Sequence, residues 1–234
     1  MVSSPFGGVE GINRALLLEV FGKLAIDLAG RAILDVGCGR GYVGEAVTEA
    51  GGDYTGVDFV ASRGGFKLAM ADAARLPFPD AAFDGVFCID AFEHFPDPPG
   101  AAADFRRVLR SNGFVFLSVP NYANVAGIVK KVCEWAGGYD KDTWAPFRNW
   151  QPQELERALT TRRIRRAFLD AGFTKLRRIG HGPEVGLGLL PWMAHGKMPE
   201  AIKFRLQRLF GTIGPAMVRV WPGASLHAFW KIEV

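Results

Sequence analysis

Three glycines at alternate positions follow an acid in the run Ile33-Leu34-Asp35-Val36-Gly37-Cys38-Gly39-Arg40-Gly41-Tyr42. A backbone without Cβ atoms can bend sharply and lie close against a ligand. Val43, Ala46 and Val47 then open a helix, whose first N–H groups have no partner within the helix itself. A strand, a glycine loop and a helix start in that order suit the recognition of a nucleotide. Three more acids stand where apolar runs stop: Asp58, Asp72 and Asp90. Carboxylates there could accept hydrogen bonds from hydroxyl or amino groups and attract a cation. His94 follows Glu93 shortly after, and an imidazole, which titrates near neutrality, can take a proton from a nucleophile.

The elements that must hold these residues can be read from the pattern. Gly11 to Leu28 has Ile12, Leu16, Val20 and Leu24 at near-helical spacing. Strand-like runs follow at Ala32–Val36, Asp53–Val57, Phe66–Met70, Phe83–Ile89 and Phe114–Val119, with a turn expected at Ser111-Asn112-Gly113. Helices are expected from Val43 to about Ala50 and over Ala101–Leu109, with Pro96 to Pro99 breaking the chain before the latter. Strands alternating with helices predict a parallel sheet with helices on both faces, in which ligands bind beyond the carboxyl ends of the strands. Asp35, Asp58, Asp72 and Asp90 all fall near such ends. Further on, Val125, Ile128, Val129 and Val132 suggest a helix, and Thr161 could cap one that has Ile164, Ala167, Phe168 and Ala171 on one face. Strands six and seven are expected at Phe173–Ile179 and Leu226–Ile232, with helix-like segments at Ala201–Phe210 and Pro215–Val220 between them.

At 234 residues, with 49% apolar and 22% charged side chains, the composition is that of an ordinary globular protein. We expect one domain over 1–234: an N-terminal helix in 1–30, a core in 31–180 and 225–234, and an inserted cap in 181–224. No leader-like segment or run long enough to span a bilayer is seen, and Cys38, Cys88 and Cys133 are too scattered for a metal site. These features predict a cytoplasmic protein with reduced thiols and no metal. Charge is uneven. Residues 1–120 hold 10 Lys and Arg against 15 Asp and Glu, net −5, whereas 121–234 hold 18 against 9, net +9. A basic half suits an anionic partner or a solvated face.

Five segments in order resemble the class I S-adenosylmethionine-dependent methyltransferases, specifically the methyltransferase type 11 group that includes quinone-biosynthesis enzymes. They are D-V-G-C-G-R-G at 35–41, G-V-D-F at 56–59, A-D-A-A-R-L-P-F at 71–78, F-D-G-V-F-C-I-D-A-F-E-H-F at 83–95 and L-R-S-N-G-F-V-F-L-S-V-P-N at 109–121. The resemblance covers roughly 29–122 and implies a Rossmann-like, doubly wound, mostly parallel seven-stranded α/β sheet. It also implies S-adenosylmethionine as cofactor and S-adenosylhomocysteine as product. By the resemblance, Asp58 holds the ribose hydroxyls and Asp72 the adenine amino group, with the Ala73 N–H nearby. Gly37, Cys38, Gly39 and Gly41 line the methionine and ribose portions. Asp35 and the Ile89-Asp90 backbone face the ammonium. Thirteen residues separate Asp58 from Asp72, fewer than relatives use, so a loop with Phe59 packed on the ring is expected at the adenine.

His94 is the candidate base, and a packing or positioning histidine is the competing reading. His181, His195 and His227 are isolated in sequence. The aromatic stretch Tyr139, Trp144, Phe147 and Trp150 could close over an apolar acceptor. In 181–224, an apolar cluster from Leu187 to Met193 precedes Lys197, Lys203, Arg205 and Arg208, which alternate with Ile202, Leu206, Leu209 and Phe210. Such a segment reads as a cap over the acceptor or as a face for an anionic membrane. The acceptor is therefore expected to be small and apolar or lipid-like, with peripheral membrane contact open and the oligomeric state undetermined. An RNA or tRNA enzyme using the basic half, in which Arg162 to Arg166 cluster, and a non-catalytic cofactor-binding module are the alternatives. The G-C-G-x-G spacing departs from the G-x-G-x-x-G of nicotinamide enzymes.

Overall fold

The structure, a computed structural model, describes residues 14–39, 41–59, 68–136, 157, 159–182, 185–186 and 199–234. Its first strand, β1 (Ala32–Val36), is buried along nearly its whole length, as expected of an apolar run at the centre of a parallel sheet. Parallel neighbours flank it on both sides. β2 (Asp53–Asp58) pairs from Ala32↔Asp53 to Val36↔Val57, and β4 (Phe83–Ile89) pairs from Ile33↔Gly85 to Asp35↔Phe87. β3 (Leu68–Met70) lies parallel outside β2, and β5 (Leu109–Pro120) parallel outside β4. With β6 (Lys175–Gly180) and β7 (His227–Glu233), the seven-stranded order is β3-β2-β1-β4-β5-β7-β6. The chain builds outward from β1 in one direction, then returns to β4 and builds in the other. That reversal opens a crevice at the carboxyl ends of β1 and β4.

The sheet is mixed. Val234 N–H donates to the Gly113 carbonyl at 3.3 Å and Asn121 N–H to the Leu226 carbonyl at 2.7 Å, so β7 runs antiparallel to β5. The described chain divides into two compact units. One comprises Ile12–Val119, Arg162–Arg177 and Phe229–Val234; the other comprises Met1–Gly11, Pro120–Thr161 and Arg178–Ala228.

In the first of these units, α1 (Arg14–Leu24) buries Leu16, Leu17, Val20, Phe21 and Leu24. The Phe21 ring meets Phe87 and Phe116 with centroids 5.4 and 5.3 Å apart. α2 (Val43–Glu49) follows the glycine loop. α3 (Pro98–Val108) starts three residues before its expected position. Asp97 accepts the Gly100 N–H, and Pro98 occupies the first turn, where a missing N–H costs nothing. The prolines thus begin the helix. α5 (Thr161–Asp170) buries Ile164 and Phe168 and leaves Arg162, Arg163, Arg165 and Arg166 outside. Phe168 stacks on Phe92 at 5.3 Å. In the other unit, α4 (Val125–Trp135) is followed later by α6 (Glu200–Val220).

Two boundaries differ from expectation. Ser111-Asn112-Gly113 makes no separate turn, and β5 runs unbroken through it. Its register against β4 jumps from Phe83↔Leu109 to Gly85↔Phe114, so the extra residues are absorbed in an irregularity with Arg110, Ser111 and Asn112 outward. The two expected segments around Pro215 are one helix, α6. Pro215 follows Gly214 and stands four residues after Gly211, where small residues leave space for the ring. The Tyr139–Trp150 stretch, Leu187 to Met193 and His195 lie outside the described residues. No helix among those described is long and apolar enough to cross a membrane.

One guanidinium ties the loop after Asp72 to α3. Arg107 donates to Asp104 through Nε at 2.7 Å, to the Phe78 carbonyl at 2.7 Å and to the Leu76 carbonyl at 3.0 Å. Asp104 in turn accepts the Leu76 N–H at 2.6 Å. Arg107→Ala is expected to lower stability by about 2 kcal/mol in urea denaturation, because hydrogen bonds to a charged group are lost together. Arg107→Lys should not restore it, since an ammonium lacks the planar fork that reaches Asp104, Asp80 and the Phe78 and Leu76 carbonyls together.

Candidate active site

The loop after β1 is shaped by backbone that needs glycine. Gly37, Gly39 and Gly41 have φ of 80°, 52° and 75°, a region where a Cβ is strained. At Gly37 a Cβ would also collide with the Ala91 Cβ, so this loop packs directly on the chain leaving β4. Three donors fasten it to the end of β2. Gly37 and Cys38 N–H both reach the Val57 carbonyl, at 2.9 and 3.1 Å, and Gly39 N–H reaches Asp58 Oδ2 at 2.8 Å. Asp58 therefore organises the loop in addition to standing at the carboxyl end of β2. Phe59, next to it, is 79% exposed.

Asp58 and Asp72 belong to adjoining segments. The Ala71 N–H donates to the Asp58 carbonyl at 2.9 Å. Asp72 is exposed, and its Oδ1 accepts the Ala74 N–H at 2.9 Å, which fixes a tight turn around the buried Ala73. Beyond β4, buried Ile89 is followed by Asp90, which has a φ of 48°. The Ser118 hydroxyl donates to Asp90 Oδ1 at 2.7 Å, and the Asp90 N–H donates to the Ser118 carbonyl at 3.0 Å. His94 closes the short turn Phe92–His94, with its Nε2 3.8 Å from Glu93 Oε1. The imidazole is half-buried and the carboxyl buried. His181 and His227 are both buried in the other unit. Among the described residues no group of His, Cys, Asp and Glu could hold a metal ion.

Asp35 lies at the floor of this site, 1% exposed. Burial is the chief cause that pushes its carboxyl up from 3.8 to about 7; the Tyr54 hydroxyl opposes the shift and the charge on Asp58 adds to it. The Cys38 thiol is pushed up to about 12, again mainly by burial and then by Asp35 and Asp58. A thiol held this high stays protonated at neutral pH. Sequence reasoning did not single out Tyr54, Ser118 or Ala91. Ser118 carried a visible signal, as the one polar residue within F-V-F-L-S-V. Tyr54 carried none, because an aromatic residue in a strand reads as core.

With this geometry in place, similarity to known proteins becomes interpretable. Residues 34–117 match the family described as a methyltransferase domain. A ubiquinone biosynthesis O-methyltransferase of Bordetella avium is 34% identical over 131 residues, 50% of this chain and 54% of that protein. A probable S-adenosylmethionine-dependent methyltransferase of Mycobacterium tuberculosis is 29% identical over 177 residues, 71% of this chain and 58% of that protein. The chain thus spans about half the length of the curated relatives it matches. The crystal structure of an S-adenosylmethionine-dependent methyltransferase from Archaeoglobus fulgidus superposes with a TM-score of 0.60 at 16% identity, covering 94% of each chain. Residues 34–117 thus resemble a methyltransferase domain, and the chain has the Rossmann-like fold seen in S-adenosylmethionine-dependent methyltransferases of known structure.

The raised Asp35 value has a thermodynamic consequence. Between about pH 4 and pH 7 the folded chain binds more protons at Asp35 than the unfolded chain does, so this group makes stability fall as pH rises. Asp35→Asn removes that slope. In urea denaturation at pH 7.5 the variant should be more stable than the parent by on the order of 1–3 kcal/mol. The gain should shrink towards pH 5. A variant less stable at pH 7.5 would show that its partners hold the carboxylate favourably.

Proposed function

We propose that this protein transfers a methyl group from S-adenosylmethionine to a small, apolar or lipid-like acceptor. The observation that carries the reading is the glycine loop fastened to Asp58 at the switch between β1 and β4. The residues there fit this cofactor. Asp58 offers a carboxylate at the end of β2, where ribose-binding acids stand. Asp72 offers a second acceptor on the adjoining segment, and Phe59 an exposed ring for the adenine face. The close approach at Gly37 leaves backbone, with no side chain, towards the ligand. Gly37 to Gly41, Ala73, Ile89 and Asp90 complete the cradle. Bound there, the cofactor supplies an electrophilic methyl carbon on a sulfonium.

The chain's own task is to hold the acceptor's nucleophilic atom in line and to receive its proton. His94 suits that task where the acceptor is a hydroxyl. It sits just beyond Asp90, half-buried, with its Nε2 3.8 Å from Glu93 Oε1. The ubiquinone biosynthesis O-methyltransferase relatives support a small, lipid-like acceptor.

Two surfaces of the other unit support delivery from a membrane. On α4, Val125, Ile128, Val132 and Trp135 are all exposed at helical spacing, with Lys131 exposed beside them. On α6, Ile202, Leu209 and Ile213 are exposed, together with Arg205 and Arg208. Apolar and cationic side chains on one helix suit an anionic interface.

Calorimetric titration tests the cofactor site. Asp58→Ala should bind S-adenosylmethionine about tenfold or more weakly, a loss on the order of 2 kcal/mol from charge-assisted hydrogen bonds. Unchanged affinity in a folded variant would remove Asp58 from the site. Cosedimentation tests the membrane. The protein should pellet with anionic vesicles at low salt and be released as salt rises, since exposed charges are screened beyond about 8–10 Å. Protein that stays in the supernatant at low salt would assign these helices to another role.

A further inference from the structure

Asp35 is buried on β1, and the residue opposite it on β2 is Gly56, which has no side chain. Tyr54 stands two residues earlier on the same face of β2, opposite Ile33. Two strand residues span about 6.6 Å, and a phenol is long enough to bridge that gap. Its hydroxyl donates to Asp35 Oδ2 at 2.7 Å.

We infer that Tyr54 is a positioning residue of the cofactor site, holding Asp35 as an oriented carboxylate beneath the glycine loop so that its charge meets the cofactor's ammonium. The inference rests on the cofactor reading above and goes beyond it in assigning a role to Tyr54. Asp35 needs such help. The titratable groups around it are Tyr54 and Asp58 from β2, Cys38 from the loop, Tyr42 ahead of α2 and Cys88 from β4, with Asp90 and Glu93 acting on Tyr42 and Cys88. None of these is a cation. Among the described residues the charge on Asp58 opposes ionisation of Asp35, and the Tyr54 hydrogen bond favours it. Within a site of low dielectric, a fixed charge acts on a ligand cation without direct contact. Burial that excludes Asp35 from solvent does not prevent this role.

Binding of S-adenosylhomocysteine, which has the same ammonium and is stable over the range needed, gives the test. Titrations run from pH 6 to 8.5 on the parent, Tyr54→Phe, Asp35→Asn and the double variant. Parent affinity should rise through about pH 7 as Asp35 ionises. In Tyr54→Phe the carboxyl loses its donor, so the rise moves to higher pH. Affinity near pH 7 should fall about tenfold, a change of about 1.4 kcal/mol. The deficit should narrow by pH 8.5. Asp35→Asn should bind weakly with a flat profile, and adding Tyr54→Phe to it should change nothing further, as expected if the two residues act through one contact. A Tyr54→Phe deficit that is equal at every pH, or that adds in full to Asp35→Asn, would overturn the inference and leave Tyr54 a packing residue. Absence of any binding to the folded parent would instead defeat the cofactor reading itself.

Discussion

The close approach of Gly37 to Ala91 is the contact on which the site depends. It brings the loop after β1 against the chain leaving β4, across the place where the strand order reverses. A side chain at 37 would push the two apart, and the three donors that fasten the loop to Val57 and Asp58 would lose their geometry. The Gly37 backbone thus meets the Ala91 side chain directly, beside the ladders that pair β1 with β2 and β4. The left-handed φ angles of the loop follow from the same requirement. A chain that must turn within a few residues and stay in contact on both sides has few conformations left.

That edge gathers carboxylates at a cost to the fold. Asp35 is buried among groups that raise its pKa, and a neutral residue of the same shape would relieve the strain. Perturbed acids of this sort concentrate where a ligand supplies the missing opposite charge. Asp90 shows the same economy in its backbone. Its φ of 48° is unusual for a side chain other than glycine, and Ser118 holds it from both the hydroxyl and the carbonyl. Each acid at the edge therefore has a dedicated support: Tyr54 for Asp35, Gly39 for Asp58, Ala74 for Asp72 and Ser118 for Asp90.

The acids themselves were legible in the sequence, because Asp58, Asp72 and Asp90 stand where apolar runs stop and Asp35 stands two residues before the first glycine of the loop. The supports were less so. A backbone N–H has no sequence signature, and Tyr54 looks like any aromatic strand residue until the register sets Gly56 beside Asp35. Ser118 was readable in principle, as a hydroxyl inside an apolar run. Element limits failed where local preference and tertiary packing disagreed. Ser111-Asn112-Gly113 has the composition of a turn, yet the pairing of β5 with β4 on either side carries the strand through it. Pro215 has the character of a helix breaker, yet two glycines in the preceding turn let α6 continue. Asp97 and Pro98 were read as an interruption and are a helix start, which the capping preference of aspartate explains.

The uneven charge of the chain bears on the same acids. The half that is net −5 contains the strand-end acids, and the half that is net +9 supplies α4, α5 and α6. The two charges are separated along the sequence and not by compact unit, for Arg162, Arg163, Arg165 and Arg166 of α5 belong to the same unit as the acids. The methyltransferase-domain match ends at residue 117, and the basic residues lie mostly beyond it.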